Sequence, residues 1–395
     1  MPGGARVTAS AWGWRHAGRK RSAVRDVTVD IEPGERVLLL GASGSGKSTF
    51  LSGVAGLLGG DEDGTAEGRL TVDGVDARGA RGSVGLVLQD PDAAPVYSRV
   101  GDDVAFGCEN LGIERTEIWR RVVRSLDSVG LDVPLDRPTA QLSGGEKQRL
   151  ALAGVLAMEP SVILLDEPTA NLDPAGVTGV RDAVERAVVP NGTTLIIVEH
   201  RTEVWLDLMT RVIVLDAGGG VLADGPPDRV FAVAGTALAA AGVWVPHARI
   251  ELADARRIDA DGSVSTLALS TTGLSIGRPG GEVVRSGVDV GVPAHRSTVI
   301  VGPNGVGKST LALTLAGLLS ERSGVVTASD ELATRRGQRP SRWSSRELLT
   351  RIGTVFQEPE HQFLAATVRD ELAIGPKALK LGDREIATRV DELLD

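Results

Sequence analysis

The chain has 395 residues, of which 42% are hydrophobic and 24% are charged, and its formal net charge at pH 7 is -9. A chain of this length can bury a sizeable core and can hold two domains. The acidic balance argues against a protein that binds nucleic acid mainly by electrostatic attraction. The single cysteine, Cys108, excludes both a disulfide framework and a cysteine-based metal site.

No stretch of the chain reaches the roughly 18 uncharged apolar residues that a membrane-spanning helix needs. The N-terminal segment MPGGARVTAS has no apolar run behind it, so it does not resemble a signal peptide. The longest apolar candidate, residues 230–245, is interrupted by Gly235 and Gly242. If the protein serves a membrane, we therefore expect another chain to span it.

A glycine-rich loop between the apolar run 37–40 and a helical pattern is the first informative element. Glycines let successive backbone N–H groups converge on phosphate oxygens, and the helix start adds a favourable dipole. In this pattern Lys47 supplies a charge for the outer phosphates and Ser48 a hydroxyl for Mg²⁺. The predicted ATP-binding residues of this first P-loop are Gly41, Ala42, Ser43, Gly44, Ser45, Gly46, Lys47, Ser48 and Thr49.

Two polar elements follow the first P-loop. Gln89 comes directly after the predicted strand 84–88, and we interpret it as a contact to Mg²⁺ and water that couples to a partner. Further on, the string LSGGEKQR (142–149) precedes a helical run, so Ser143, Gly144 and Gly145 form another anion-binding helix start. Because it has no P-loop lysine, it suits the γ-phosphate of a nucleotide that a different domain holds, with a plain helix N-cap as the alternative.

Two carboxylates end the next predicted buried strand, 162–166. Asp166 would hold Mg²⁺ through water, and Glu167 would orient or deprotonate the attacking water. After the segment ANLD (170–173) and a further predicted strand, 194–198, His200 is interpreted as a γ-phosphate switch. A solvated acidic turn and a polar strand end are the alternatives, and the order of the motifs favours the catalytic interpretation.

The same order of features recurs later in the chain. Lys308 lies 261 positions after Lys47, and the segments around Gln357 and over 368–374 repeat those around Gln89 and over 100–106. A repeat of this length indicates duplicated domains, and we predict a first domain over 1–245, a linker over 246–265 and a second domain over 266–395. Ser309 and Gln357 are predicted metal ligands. The predicted ATP-binding residues of the second P-loop are Gly302, Pro303, Asn304, Gly305, Val306, Gly307, Lys308, Ser309 and Thr310.

In this order, the motifs resemble those of the ABC ATPases. The resemblance implies an α/β P-loop NTPase fold with two units in tandem, each with a parallel-sheet core, an antiparallel β-subdomain and a helical subdomain. It also implies that ATP, with Mg²⁺, lies between the P-loop of one unit and the LSGGE signature of another. In this family an aromatic residue stacks on adenine, and Trp14 is the candidate in the first unit, whereas LSIGR (274–278) offers no aromatic in the second.

A narrower resemblance rests on QDPDAA (89–94) and VGDDVAFGCEN (100–110), and on their counterparts over 356–362 and 367–373. These segments are similar to those of the ATPases of energy-coupling-factor importers, which carry vitamins or transition-metal ions such as cobalt or nickel. This resemblance implies a transmembrane coupling protein that docks near the Gln loop, and a membrane substrate-binding subunit. It also implies a peripheral protein at the cytoplasmic face of the cell membrane, with no nucleic-acid partner.

Three alternative functions remain open at this point. The first is the ATPase of an ABC importer for another substrate class, such as sugars or amino acids. The second is a soluble tandem ABC protein acting on ribosomes, although the short, non-basic connector counts against it. The third is an ABC ATPase of DNA repair, which would need long coiled-coil insertions that no heptad run here supports.

The second unit departs from the first on its C-terminal side. Ser143 lies 96 positions after Lys47, so the same spacing from Lys308 predicts a signature near position 404, beyond Asp395. The written sequence thus resembles a truncated one, with a single water-activating carboxylate, Glu167. Because losing such a group usually reduces the rate by orders of magnitude, we predict that this chain alone binds ATP but hydrolyses it poorly. Pairing of the first domains of two chains would restore complete sites.

Overall fold

The computed structural model describes residues 3–60, 63–80, 82–90, 94–240, 242–243, 245–246, 266–356 and 362–394. The chain divides into two compact units, Met1–Asp254 and Ala255–Asp395, and each is described by itself. The predicted linker lies outside the described residues from position 247 onward. Within the described ranges, no helix is both long enough and apolar enough to cross a membrane.

The first unit contains ten strands and seven helices among its described residues. Its strands are β1 (Val7–His16), β2 (Val24–Ile31), β3 (Arg36–Gly41), β4 (Gly64–Val72), β5 (Val75–Asp76), β6 (Val84–Val87), β7 (Val162–Asp166), β8 (Thr194–Val198), β9 (Arg211–Leu215) and β10 (Val221–Gly225). Its helices are α1 (Lys47–Val54), α2 (Val100–Asn110), α3 (Arg115–Ser128), α4 (Gly144–Ala157), α5 (Pro174–Val188), α6 (Thr202–Trp205) and α7 (Pro227–Ala240).

An antiparallel sheet of four strands, in the order β2-β1-β4-β5, forms one layer of this unit. In β2 the buried Val27, Val29 and Ile31 alternate with exposed residues. This period of two is typical of a sheet with one buried face. The buried face packs with α1, through Phe50 and Leu51, in one hydrophobic cluster.

A six-stranded sheet in the order β10-β9-β3-β8-β7-β6 forms the centre of the unit. Its strands pair in parallel except for β10, which is antiparallel to β9. Strands β7 and β8 are buried along their whole length, as expected for a parallel sheet covered on both faces. Both match strands that the sequence predicted, and helices α2 to α5 contribute to the cluster on one face of the sheet.

The topology places the loops after β3, β6, β7 and β8 along one edge of this sheet, because parallel strands all end on the same side. These loops carry the first P-loop, Gln89, Glu167 and His200. Four segments that are far apart in the sequence are therefore neighbours at the carboxyl ends of the strands.

The second unit contains β11 (Leu267–Ile276), β12 (Arg285–Val288), β13 (Gly291–Pro293) and β14 (Ser323–Ala328), with helices α8 (Lys308–Leu315), α9 (Ser345–Leu349), α10 (Val368–Ala378) and α11 (Asp383–Leu394). The four strands form an antiparallel sheet in which β11 pairs with the other three. Leu274, Ile276, Leu315 and Val326 form a small core between this sheet and α8. Helices α10 and α11 pack together in a separate cluster.

The parallel-sheet core predicted for the second unit is not formed by its described residues. Residues 298–301, predicted as the strand before the second P-loop, pair with no strand in the described part of the chain, and Val299 and Val301 are 79% and 82% exposed. Their counterparts Leu38 and Leu40 are buried because β3 lies between β8 and β9. A strand depends on hydrogen bonds to its neighbours, and no strand among the described residues of the second unit takes the places that β8 and β9 have beside β3.

Candidate functional site

The first P-loop has a conformation that requires glycine. Gly41, Gly44 and Gly46 have φ angles of 156°, 79° and 88°. A Cβ atom on Gly46 would lie 2.3 Å from the carbonyl oxygen of Ala23, so no other residue fits there without moving the backbone. Gly46 directly precedes α1, and the positive end of the helix dipole therefore faces the loop.

The side chain of Lys47 lies across the first P-loop. Its Nζ donates hydrogen bonds to the carbonyl oxygens of Gly41 at 2.9 Å and Ala42 at 3.1 Å. Burial lowers the pKa of Lys47, whereas the nearby carboxylates of Glu167 and Asp166 act in the opposite direction. An ammonium group held by loop carbonyls can exchange these partners for the oxygens of an anion bound in the loop.

The second P-loop repeats this geometry. Gly302, Gly305 and Gly307 have φ angles of 150°, 76° and 103°. Lys308 Nζ donates to the carbonyl oxygens of Gly302 and Pro303, both at 2.8 Å, and Lys308 is the first residue of α8. The loop conformation is therefore present in both units, although its preceding strand is formed only in the first.

The hydroxyl residues of the two loops differ in exposure. Ser43, Ser48 and Ser309 are exposed, whereas Ser45 is buried and its Oγ has no hydrogen-bond partner among the described residues. Gly41 leaves room for this side chain, because a Cβ there would lie 2.4 Å from Ser45 Oγ. Ser45 thus belongs to the internal packing of the loop, and Ser48 is the hydroxyl that reaches its open side.

Asp166 ends β7 beside the first P-loop and is only 8% exposed. Burial raises the pKa of Asp166, while a hydrogen bond from Ser48 and the charges of Lys47 and His200 act in the opposite direction. The Oδ1 atom of Asp166 is buried and has no hydrogen-bond partner among the described residues. A buried carboxylate oxygen without a donor, next to a serine hydroxyl, fits a divalent cation.

No group of three or more His, Cys, Asp and Glu side chains in the described ranges is arranged to hold a metal ion. At phosphate sites, Mg²⁺ is usually bound by one or two carboxylates together with oxygens of the substrate phosphates. The donors Ser48 and Asp166 fit that ligand set.

Glu167 brings three predicted site residues together. Its Oε2 accepts a hydrogen bond from Gln89 Nε2 at 2.9 Å, and its Oε1 lies 3.2 Å from His200 Nε2. The φ angle of Glu167 is 47°, a left-handed conformation that costs a non-glycine residue about 1–3 kcal/mol. Its backbone N–H donates to the carbonyl of Val198 at 2.8 Å, which fixes that conformation. A carboxylate held by an amide and an imidazole can orient a water molecule and accept its proton.

The signature segment begins α4. Ser143 is the N-cap of this helix, and both its hydroxyl and its backbone N–H donate hydrogen bonds to Glu146 Oε2 at 2.8 Å. The backbone N–H of Glu146 donates to the serine hydroxyl oxygen in return. These bonds, chiefly the one from the Ser143 backbone, lower the pKa of Glu146. Gly145 packs closely on α5, where a Cβ would lie 3.4 Å from the Cα of Gly176. The segment thus forms the helix N-cap that was the alternative interpretation of its sequence. Gly144 and Gly145, at the same helix start, are only partly buried.

Trp14, the predicted adenine-stacking residue of the first unit, lies in a buried position on β1. Trp14 is 2% exposed, and its indole N–H donates to His16 Nδ1 at 3.2 Å. Gly64 lies against the ring, since a Cβ there would be 2.7 Å from it. The inward position in β1 places this aromatic residue in the hydrophobic cluster with Trp12. Its role in adenine stacking stays a prediction. Gln357, the other predicted ligand of the second unit, lies outside the described residues.

Two carboxylates near the Gln loops were missed by the sequence interpretation. Asp103 Oδ1 accepts the backbone N–H groups of Val96 at 2.7 Å and Tyr97 at 2.9 Å. In the second unit Glu371 Oε2 accepts those of Leu364 at 2.9 Å and Ala365 at 2.8 Å. The acceptor and both donors in the second unit lie 268 positions after their counterparts in the first unit, so the two units share this contact. No motif spacing identifies this contact, because each carboxylate accepts hydrogen bonds from backbone N–H groups and not from a particular kind of side chain.

Comparisons with known proteins agree with this geometry. The ABC transporter family matches residues 24–170 and 286–395. A putative HMP/thiamine import ATP-binding protein of Bacillus subtilis is 32% identical over 386 residues, which cover 91% of this chain and 69% of that protein. A putative ABC transporter ATP-binding protein of Streptomyces coelicolor is 33% identical over 430 positions, covering 95% of this chain and 75% of that protein.

Among solved structures, CbiO1 from Clostridium perfringens, described as part of the ABC transporter complex CbiONQ, is 33% identical with a TM-score of 0.51. The likeness covers 58% of this chain and 92% of that one. The family match includes both P-loops, and the relatives align along most of the chain. Taken with the fold and the two glycine loops, these likenesses establish that the chain belongs to the ABC transporter family of ATP-binding proteins.

Proposed function

We propose that this chain is the ATP-binding subunit that couples ATP hydrolysis to the import of a vitamin or a transition-metal ion by an energy-coupling-factor ABC transporter. The observation that carries the ATPase part is the meeting of Lys47, Asp166, Glu167 and His200 at one sheet edge. These groups come from three segments that are far apart in the sequence and that the parallel sheet brings to the same edge.

In the proposed reaction, the first P-loop holds the phosphates of ATP. Lys47 exchanges the carbonyl oxygens of Gly41 and Ala42 for phosphate oxygens, and the α1 N-terminus adds its dipole. Ser48 and Asp166 would hold Mg²⁺, with Gln89 as a further contact, and the ion would supply positive charge to the phosphate oxygens. The second P-loop binds nucleotide in the same manner through Lys308 and Ser309.

The same proposal assigns the hydrolytic step to Glu167. Its carboxylate orients the attacking water and takes its proton as the new bond from the water oxygen to the γ-phosphorus forms. The bond between the γ-phosphorus and the β,γ-bridging oxygen breaks in the same step, so that ADP and phosphate are the products. Gln89 and His200 hold the two carboxylate oxygens, at 2.9 Å and 3.2 Å, so that the side chain keeps one direction. We assign to His200 the role of the γ-phosphate switch that the order of the motifs indicates. Ser143, Gly144 and Gly145 contribute a helix start toward the nucleotide of another ABC unit, as the family resemblance implies.

The coupling part of the proposal rests on the surface after Gln89. Val96 and Tyr97 are 62% and 44% exposed, and Asp103 holds their backbone in place. In the second unit Phe363 and Leu364 are 64% and 81% exposed at the corresponding segment. Apolar side chains fixed in an exposed position suit a partner protein, and we propose the transmembrane coupling protein as that partner, with the chain peripheral on the cytoplasmic face of the membrane.

The cargo class is proposed from the relatives. One relative carries HMP/thiamine import in its name, which supports a vitamin. The metal ion stays in the proposal because the segments after the two Gln loops resemble those of energy-coupling-factor importers, which carry either cargo. A membrane substrate-binding subunit would choose between them. Uptake of a sugar or an amino acid by the assembled transporter would instead favour another importer class.

The docking proposal is tested by co-purification of this chain with its candidate transmembrane coupling protein from detergent-solubilised membranes. Val96→Asp places a charge on the proposed surface, and Val123→Asp, on α3 and 57% exposed, is the matched control. We expect Val96→Asp to reduce co-purification while ATP binding is retained, because the corresponding surface of the second unit is unchanged, and we expect the control to behave as the parent. Unchanged co-purification of Val96→Asp would show that this surface is not the docking site.

A further inference from the structure

A buried carboxylate next to the switch histidine has no part in the mechanism described above. Glu199 directly follows β8 and is 4% exposed. Its Oε1 accepts the backbone N–H of Thr169 at 3.0 Å and also the Thr169 hydroxyl. Its Oε2 accepts the backbone N–H groups of His200 at 2.8 Å and Arg201 at 3.1 Å. A buried charge is tolerated when hydrogen bonds replace its lost hydration, and here four donors do so.

Glu199 connects the two loops that carry the hydrolytic groups. Thr169 is two residues after Glu167 in the loop that follows β7, and His200 begins the loop that follows β8. One carboxylate oxygen therefore serves each loop. The connection is additional to the pairing of Asp166 with Val198 in the adjacent strands.

The position of His200 depends on its backbone more than on packing. Its side chain is 43% exposed, whereas that of Glu167 is 21% exposed. Few neighbours therefore confine the imidazole ring, and its 3.2 Å approach to Glu167 follows from where the main chain starts the loop. The donors that fix this start are the N–H groups of His200 and Arg201, both held by Glu199.

We propose that Glu199 is a positioning residue for hydrolysis, which holds His200 against Glu167 by joining the two loops through its two carboxylate oxygens. This role rests on the proposed function of the site. It is distinct from a purely structural role, in which the same contacts would stabilise the fold without affecting the reaction rate.

The test uses the full chain with Glu199→Gln, which keeps the size of the side chain but has only one acceptor oxygen. The amide can therefore accept from one loop only and presents an NH₂ donor to the N–H groups of the other. Thr169→Val is a milder variant, because it removes only the hydroxyl bond and keeps the backbone one. Glu185→Gln, an exposed Glu→Gln change on α5, is the matched control.

Three readouts are compared among these variants: amide hydrogen exchange of 167–171 and 199–203, affinity for Mg²⁺–ATP, and single-turnover hydrolysis with protein in excess. For Glu199→Gln we expect faster amide exchange in one or both loops and an affinity for Mg²⁺–ATP within about threefold of that of the parent. We expect hydrolysis to be slowed about 10- to 100-fold, since a catalytic group misplaced by about 1 Å lowers the reaction rate about 100-fold. For Thr169→Val we expect a smaller loss of rate in the same direction, and this variant decides the question if Glu199→Gln does not fold.

Two results would overturn the positioning role alone: unchanged exchange in both loops, or faster exchange with an unchanged hydrolysis rate. Loss of ATP affinity in proportion to the loss of rate would likewise assign Glu199 to general folding. Failure of the parent chain to bind Mg²⁺–ATP is a different outcome, because it would overturn the proposed function itself and this role with it.

Discussion

Two glycines of the first P-loop, Gly44 and Gly46, allow a quantitative prediction of how alanine substitution affects ATP binding. Gly44 and Gly46 both have left-handed φ angles, 79° and 88°, but their surroundings differ. A Cβ on Gly44 would meet no atom within 4 Å, whereas one on Gly46 would lie 2.3 Å from the Ala23 carbonyl oxygen and 2.4 Å from Val24 Cγ2. Gly44→Ala therefore adds only backbone strain, and Gly46→Ala also forces the loop away from β2.

The expected effects follow from these distances. A left-handed alanine costs about 1–2 kcal/mol, so Gly44→Ala should weaken Mg²⁺–ATP binding roughly 5- to 30-fold if the bound loop keeps its conformation. Gly46→Ala should weaken it by more than about 100-fold, since a contact that short with backbone cannot be relieved by a side-chain rotation. The assay is fluorescence titration with a MANT-labelled ATP in a Lys308→Ala background, so that the first P-loop dominates the signal, with thermal melts to confirm folding.

Equal losses for the two variants would refute this reasoning, because they would show that the loop contacts do not distinguish the two positions. Parental affinity in folded Gly46→Ala would refute it more strongly, because the loop seen here could not then be the nucleotide-binding conformation.

Three further predictions concern folding, protonation and assembly. Leu38→Ala should lower the free energy of unfolding, measured by denaturant titration, by about 3 kcal/mol because Leu38 is fully buried in β3. Val299→Ala, at the matching but 79% exposed position of the second unit, should change that free energy by less than about 0.5 kcal/mol. Equal effects of the two substitutions would contradict the finding that residues 298–301 are unpaired and exposed. Burial raises the pKa of Asp166 above its ordinary 3.8, so the protonated form favours folding and that contribution is lost as pH rises through the raised value. Asp166→Asn should therefore raise the Tm of the nucleotide-free protein at pH 7, and this gain should vanish below about pH 4. A lower Tm of this variant at pH 7 would contradict the raised pKa. The same substitution should remove the Mg²⁺ dependence of ATP binding. Glu167→Gln with Mg²⁺–ATP should elute at twice the 41.2 kDa chain mass in light-scattering chromatography, and a monomer under all conditions would argue against pairing through the first domain.

Sequence reasoning located the elements whose signals are local. The buried runs 162–166 and 194–198 form β7 and β8 as predicted, because a continuous apolar run bounded by polar residues is enough to mark a covered parallel strand. The glycine spacing of the two P-loops likewise reports a local backbone requirement, and both loops have nearly the same φ angles.

What sequence reasoning could not supply depends on partners distant in the chain. Residues 298–301 are as apolar as β3, but the part of the chain that the structure describes contains no strand beside them, so composition alone predicted a strand that does not pair there. Trp14 has the position of an adenine-stacking aromatic, yet tertiary packing in β1 buries it. Glu199 and Asp103 accept hydrogen bonds from backbone N–H groups. Every residue type except proline provides such a group, so no sequence motif identifies these contacts.

The rate of ATP hydrolysis by the purified 395-residue chain, compared with that of Glu167→Gln, bears most directly on the proposed function. We expect slow, Mg²⁺-dependent hydrolysis by the chain and at least about a 100-fold lower rate for Glu167→Gln, while both bind ATP with similar affinity. Hydrolysis that continues at the parental rate in Glu167→Gln would contradict the assignment of this carboxylate, and fast steady turnover by the monomeric chain would contradict the predicted dependence on pairing.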